Sequence, residues 1–305
     1  MSWLQIGLDT NAGDAQQTGT LLEQLGALAV TLSGVEDGDP VLEPLPGSQP
    51  LWERARLTAL FDLSADIGVL RAELARLQVD IADVTFVQDD DWQNRWQAHA
   101  VRACFGKRLW LLPRDAAQEI EPAQRSLPTL RLDPGLAFGS GAHPTTRLCL
   151  AWLAEADLTG KRVLDFGCGS GVLALAASLL GAAHVTAVDH DPQALVATRD
   201  NAAYNEITEE ALSVITPARL AASSSQGQVF DVVIANILAN PLVELASQLS
   251  AMTAAGGKLV LSGLLHNQEP MIRSAYPTFD FRPVAREGDW IRMDGRRAGV
   301  LSRNP

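Results

Sequence analysis

The chain has 305 residues with a hydrophobic fraction of 47%, a charged fraction of 20% and a mean hydropathy of +0.05, so it carries enough apolar surface for folded cores and is not a disordered polymer. At this length two domains are expected rather than one, because single cores stop growing near ~250–300 residues. A net charge of −12 and a pI of about 4.8 argue against a surface that grips nucleic-acid phosphates and suit a basic protein partner.

In chain order, residues 1–90 alternate short strands and helices. Trp3–Leu8 alternates apolar and polar side chains like a half-buried strand. A helix is expected over Asp14–Gly26, with Leu21, Leu22 and Leu25 at helical spacing and a glycine to end it. Ala27–Leu32 and Arg56–Asp62 are strands on either side of a Gly-, Asp- and Pro-rich loop. Ser64–Leu77 is a helix capped by Ser64, with Ile67, Leu70, Leu74 and Leu77 on one face. Val84–Gln88 closes the run. This is the split βαβ plan of a ferredoxin-like domain, without a catalytic cluster of its own.

Residues 91–131 are expected to connect the domains, with Trp92 and Trp96 four apart on a short helix, a strand at Arg108–Pro113, and a loop to Pro128. From 132 to 305 the rhythm becomes strand–helix–strand. Strands are expected at Arg162–Phe166, His184–Asp189, Val229–Ala235 and Lys258–Ser262, and helices at Gly171–Leu180, Pro192–Asn205 and Pro241–Met252. The fold class is therefore α/β: a doubly wound, Rossmann-like domain preceded by a smaller α+β domain.

The three cysteines, Cys104, Cys149 and Cys168, are widely spaced and odd in number, offering neither a disulfide framework nor a zinc site; no metal is expected. The first residues lack a basic segment followed by an apolar run, and Val172–Ala183 is too short to span a bilayer, so a cytoplasmic protein without a membrane partner is expected.

Four segments carry chemistry. In VLDFGCGSGVLALAA (163–177) a strand ends in Asp165, and Gly167, Gly169 and Gly171 let the backbone turn sharply and approach a ligand. The spacing is G-x-G-x-G rather than the G-x-G-x-x-G of dinucleotide sites, which disfavours a nicotinamide-dependent oxidoreductase. In AVDHDPQAL, Asp189 ends the next strand, where a carboxylate can accept both ribose hydroxyls of an adenosine; Asp191 before Pro192 suits a helix cap. In DVVIANILANPL, Asn236 emerges at a strand's carboxyl end. It is followed by Ile237-Leu238-Ala239, not by the Pro-Pro-aromatic that amino-group methyltransferases of bases often carry, and this favours a non-aromatic amine. In LDPGLAFGSGAHPTT (132–146), a Gly- and Pro-rich stretch ends in Thr145 and Thr146 ahead of a helix expected near Arg147. It serves as a loop with a Thr cap or as a lid over a cofactor, with Phe138 a candidate contact; His143 lacks a second metal ligand.

The glycine turn resembles motif I of class I methyltransferases. With the other three segments in this order, and above all PGLAFGSGAHPTT, the chain resembles the ribosomal protein L-11 methyltransferase family over nearly its whole length, down to WIRMDGRR at 290–297. The resemblance implies a ferredoxin-like domain that grips the ribosomal protein and a Rossmann-like catalytic domain. It implies S-adenosylmethionine as cofactor, contacted at Thr146, Gly167, Asp189 and Asn236, with Asp165 and Gly169 in the same motif. It further implies lysine side chains and the N-terminal α-amine of ribosomal protein L-11 as methyl acceptors, Asn236 positioning the amine. The alternatives are a methyltransferase of RNA or of a small-molecule amine, and a non-catalytic cofactor-binding module acting in ribosome assembly.

Overall fold

The computed structural model describes residues 2–35, 54–88, 102–114, 126–133, 139, 141–224 and 227–298. It separates into two compact units, Met1–Ala98 and His99–Pro305.

The first unit runs β1 (Ser2–Asn11), α1 (Ala12–Gln24), β2 (Ala29–Gly34), β3 (Arg54–Asp62), α2 (Ile67–Ala75) and β4 (Ile81–Gln88). Its sheet has the order β2-β3-β1-β4 with every neighbouring pair antiparallel, the arrangement of a ferredoxin-like domain. The alternation in the sequence decides which face is covered. Ala55, Leu57, Ala59 and Phe61 of β3 point inward with Leu4, Ile6 and Leu8 of β1, against Leu22 of α1 and Leu70 and Leu74 of α2. The cap of α2 differs from the expected Ser64. Asp66 does this work, accepting from the backbone N–H of Gly68 (2.8 Å) and Val69 (3.3 Å), while the Ser64 N–H donates to Asp62 in the turn before it. A carboxylate adds favourable charge at a helix N-terminus, which a hydroxyl does not.

In the second unit, β5 (Ala103–Phe105), β6 (Leu109–Pro113) and β7 (Thr129–Leu132) form a small sheet in that order. The stretch expected as a connector thus contributes directly to this unit: Phe105, Leu109, Leu111, Leu130 and Leu132 are buried in the same core as Cys149, Leu150 and Leu153. Short apolar segments such as LWLLP find cover there that an exposed linker would deny them. Trp92 and Trp96 lie outside the described residues.

The main domain continues with α3 (Pro144–Glu155), β8 (Arg162–Phe166), α4 (Val172–Leu179), β9 (His184–Val188), α5 (Pro192–Tyr204), β10 (Leu212–Ile215) and α6 (Pro217–Ser224). Then follow β11 (Phe230–Asn236), α7 (Ala239–Glu244), α8 (Ala246–Met252), β12 (Thr253–Leu265), α9 (Glu269–Ala275), β13 (Phe279–Phe281), β14 (Ala285–Glu287) and β15 (Trp290–Arg297). The sheet order is β10-β9-β8-β11-β12-β15-β13, with β14 against β15. The pairs from β10 to β12 are parallel, and β15 is antiparallel to β12, β13 and β14. Both faces are covered, so the strands read as apolar runs. Val163, Val232, Ile234 and Val260 face the core shared with α3 and α4; Leu164, Phe166, Val233, Ala235, Leu259 and Leu261 face α7, α8 and α9.

The single helix expected over Pro241–Met252 is two, α7 and α8, parted at Leu245 where ψ moves to 0°. The serine run expected as a loop supplies Ser223 and Ser224 to the end of α6. The chain reverses direction across the sheet between β8 and β11, so ligand-binding residues are expected at the carboxyl ends of these two strands.

Candidate active site

β8 delivers Asp165 one residue before its end, fully buried, and Gly167 begins the turn with φ of +80°. A Cβ on Gly167 would lie 2.4 Å from Cγ2 of Ile237, so glycine is required both for the left-handed backbone and for the space. The turn is pinned from beneath: the N–H groups of Gly167 and Cys168 donate to the Val188 carbonyl at 2.7 and 3.0 Å. Gly171 closes it, and α4 begins at Val172.

Asp189 follows β9 and is 8% exposed. Its Oδ2 accepts from the Gly169 N–H at 2.9 Å and its Oδ1 from the Asp191 N–H at 3.0 Å. A carboxylate has about four acceptor positions, so both oxygens retain capacity for ribose hydroxyls. Asp191 caps α5 through the Gln193 N–H (2.8 Å) with Pro192 at the first helical position, as the sequence suggests.

Asp165 is a different kind of acid. Burial pushes its carboxyl up to about 7; the Ala174 N–H on Oδ2 opposes that, and the charge of Asp189 adds to it. Its Oδ1 is buried without a hydrogen-bond partner. The neighbouring thiols are inert for the same reason: burial raises Cys149 to about 12 and Cys168 still further.

Asn236 is the last residue of β11, at the same sheet edge as the turn, since Ala235 sits opposite Phe166. Its Nδ2 donates to Oγ1 of Thr146 at 3.2 Å, while its Oδ1 is buried and without a partner. Thr145 and Thr146 are both 3% exposed, inside the first turn of α3 rather than capping it. The cap is His143, whose Nδ1 accepts from the Thr145 N–H at 3.4 Å, with Pro144 starting the helix three residues earlier than expected. Burial lowers the pKa of His143, partly offset by the charge of Glu287, and its ring meets Trp290 edge-on at 4.6 Å between centroids. The ion pair Arg147–Glu287 (2.9 Å) also ties α3 to β14.

Thus Thr146, Asp165, Gly167, Gly169, Asp189 and Asn236 meet along one edge of the sheet; Phe138 lies outside the described residues. Ala239, buried at 1% exposure, stands where an aromatic would follow Asn236 in base-modifying enzymes. Sequence reasoning passed over Ile237. Its backbone also crosses Gly263 of β12 so closely that a Cβ there would lie 2.3 Å from the Ile237 carbonyl oxygen. Only the glycine inside an otherwise apolar strand hinted at such a close approach. Among the described residues no three His, Cys, Asp or Glu side chains gather to hold a metal ion, and no helix is long and apolar enough to cross a membrane.

The chain is similar to known proteins over nearly its whole length. The family model described as ribosomal protein L11 methyltransferase (PrmA) matches residues 2–298. The chain is 45% identical over 300 residues to the ribosomal protein L11 methyltransferase of Hahella chejuensis, covering 97% of this chain and 99% of that one. It is 46% identical over 302 residues to the protein of that name from Pseudomonas aeruginosa PAO1, again covering 97% and 99%. Among solved structures, the ribosomal protein L11 methylase of Lactobacillus delbrueckii subsp. bulgaricus superimposes with a TM-score of 0.56 at 34% identity, over 63% of this chain and 95% of that one. The glycine turn, the acid at the end of β9 and the strand-end asparagine stand in a chain that belongs to the ribosomal protein L-11 methyltransferase family.

Proposed function

We propose that this protein methylates amino groups of ribosomal protein L-11, lysine side chains and the N-terminal α-amine, with Asn236 orienting the accepting nitrogen. It is an S-adenosylmethionine-dependent methyltransferase by family. The residues present fit that cofactor. Three glycines free the turn for close approach, Asp189 keeps acceptor capacity for a ribose, and the Oδ1 atoms of Asp165 and Asn236 are buried acceptors without partners. Thr146, Asp165, Gly167, Gly169, Asp189 and Asn236 would hold it, and the cofactor supplies a methyl group on a cationic sulfur.

The observation that carries the reading is the unpartnered Oδ1 of Asn236. A buried acceptor without a donor costs free energy, and a substrate N–H removes that cost. Thr146 holds the carboxamide by its nitrogen and so leaves the oxygen for an amine. A lysine ammonium, with pKa about 10.4 in water, loses a proton before its lone pair can attack; a site that excludes water favours the neutral form. Once the amine is neutral, its remaining hydrogens can bond to the Asn236 oxygen and direct the lone pair away from it. Catalysis then rests on proximity and orientation. The aliphatic run Ile237-Leu238-Ala239 after Asn236 suits the methylene stem of a lysine better than the face of a base.

The ferredoxin-like unit, residues 1–90, is the proposed docking domain for the ribosomal protein, and residues 132–305 the catalytic one. The net charge of −12 favours a basic protein over naked RNA, and the spaced cysteines favour the cytoplasm. Incubation with recombinant ribosomal protein L-11 and cofactor, followed by intact-mass and fragment analysis, tests this. Methyl increments on lysine and the N-terminal amine are expected. Transfer to ribosomal RNA in place of protein would overturn it.

A further inference from the structure

Helix α5 carries three polar side chains on the face it turns toward the core: Thr198 (0% exposed), Asn201 (1%) and Asn205 at its carboxyl cap. Buried amides and hydroxyls are costly unless bonded, and each of these is bonded to backbone. Asn205 exchanges two hydrogen bonds with Arg131 of β7: its Oδ1 accepts from the Arg131 N–H (2.8 Å) and its Nδ2 donates to the Arg131 carbonyl (2.7 Å). Asn201 does the same with Asp133, accepting from its N–H (3.1 Å) and donating to its carbonyl (2.8 Å).

Residues 131 and 133 present their backbone groups to the same side of the strand, about 6.6 Å apart, close to the rise of one helical turn. Two asparagines four apart on α5 therefore act in place of a fourth strand on the free edge of the β5-β6-β7 sheet. Each carboxamide nitrogen has a second acceptor: that of Asn205 is the Asn201 carbonyl (2.8 Å), within α5, and only Asn201 reaches out of the helix to the glycine turn. Its Nδ2 also donates to the Ser170 carbonyl at 3.0 Å, inside the glycine turn. Thr198 donates to the Gly169 carbonyl at 2.9 Å, and the Ser170 hydroxyl donates to the Gly139 carbonyl at 2.7 Å. One carboxamide thus joins the cofactor turn to Asp133, while the hydroxyl of the same Ser170 holds Gly139.

We infer that Asn201 is a positioning residue for the cofactor site, setting the glycine turn against the backbone at Asp133, and that Asn205, whose other bond stays within α5, braces β7 without reaching the turn. The inference rests on the cofactor reading above. It separates two side chains of the same type on the same helix by what they touch.

Asn201→Ala and Asn205→Ala, each in the full chain, provide the test. Both are expected to lower the thermal midpoint, since each removes a pair of hydrogen bonds to the backbone, at Arg131 or at Asp133. Only Asn201→Ala is expected to raise the Kd for S-adenosylhomocysteine by calorimetry and the KM for S-adenosylmethionine, by about tenfold, corresponding to a buried carbonyl left without its donor. At saturating cofactor its kcat is expected to stay within about twofold of the parent, because the Asn236 amide is untouched. Should Asn201→Ala fail to fold, Asn201→Ser is read in the same way. Equal changes in cofactor affinity for the Asn201 and Asn205 variants, or a lowered midpoint with unchanged affinity, overturn the inference. A parent protein that binds no S-adenosylhomocysteine overturns the cofactor reading instead.

Discussion

Asn236 and Thr146, ninety positions apart, share a hydrogen bond of 3.2 Å in which the carboxamide nitrogen of Asn236 donates to the threonine hydroxyl. The bond selects which end of the amide faces the site. Asn236→Ala is expected to reduce turnover about a hundredfold through lost orientation, with a much smaller change in cofactor affinity. Single-turnover methyl transfer alongside calorimetry separates the two. Thr146→Val, which keeps the shape and removes the hydroxyl, should reproduce part of the loss.

Asp189 has structural and binding duties at once, since its Oδ2 holds the Gly169 N–H. Asp189→Ala is expected to weaken S-adenosylhomocysteine binding at least about tenfold, because a charge-assisted bond to the turn is lost as well as the acceptor for the ribose. Asp189→Asn retains one acceptor oxygen and should fall between. Equilibrium calorimetry of the two variants gives the order.

The buried carboxyl of Asp165 makes stability depend on pH. Its pKa is raised from 3.8 to about 7 on folding, so between these values the folded state binds more protons than the unfolded state. Stability therefore falls as pH rises from about 4 to about 7, and above that the ionised, buried group destabilises fully. Asp165→Asn removes this dependence. The difference in thermal midpoint, variant minus parent, should be more positive at pH 8 than at pH 5; a difference independent of pH would contradict it.

Gly167→Ala should be poorly tolerated on two counts. The left-handed backbone costs about 1–2 kcal/mol for a residue with a Cβ, and the new methyl would meet Cγ2 of Ile237 at 2.4 Å. Adding Ile237→Ala relieves the clash and leaves the backbone cost, so the double variant should melt above the Gly167→Ala single variant. Thermal melts of the single and double variants beside the parent decide this.

Much of this was legible in the residues because it depends on local pattern. The G-x-G-x-G turn, the Asp191-Pro192 cap and the apolar strands β8, β9 and β11 each follow from steric or periodic rules acting within a few residues. The βαββαβ order likewise foretold the sheet of the first unit. The cap of α2 was misassigned because Ser64 and Asp66 are both good caps, and only the turn made by Asp62 removes Ser64 from contention. The start of α3 was placed late because threonine is the commoner cap; the proline after His143 was the better signal. β10, α9 and the hairpin strands around β15 are short, and their place in the sheet depends on neighbours distant in sequence. The bond between Asn236 and Thr146, and the bracing by Asn201, join residues more than sixty positions apart, beyond any local rule.

Ile237 is seated where two side chains are missing, with Gly167 against its Cγ2 and Gly263 beneath its carbonyl. The peptide that follows Asn236 is thus bounded by two other segments, the turn after β8 and the body of β12. A methyl gained at either glycine would displace the residue that follows Asn236. Among functional variants selected from a randomised library, a larger residue at 167 should accordingly appear only with a smaller one at 237, while position 263, which faces backbone, should stay glycine.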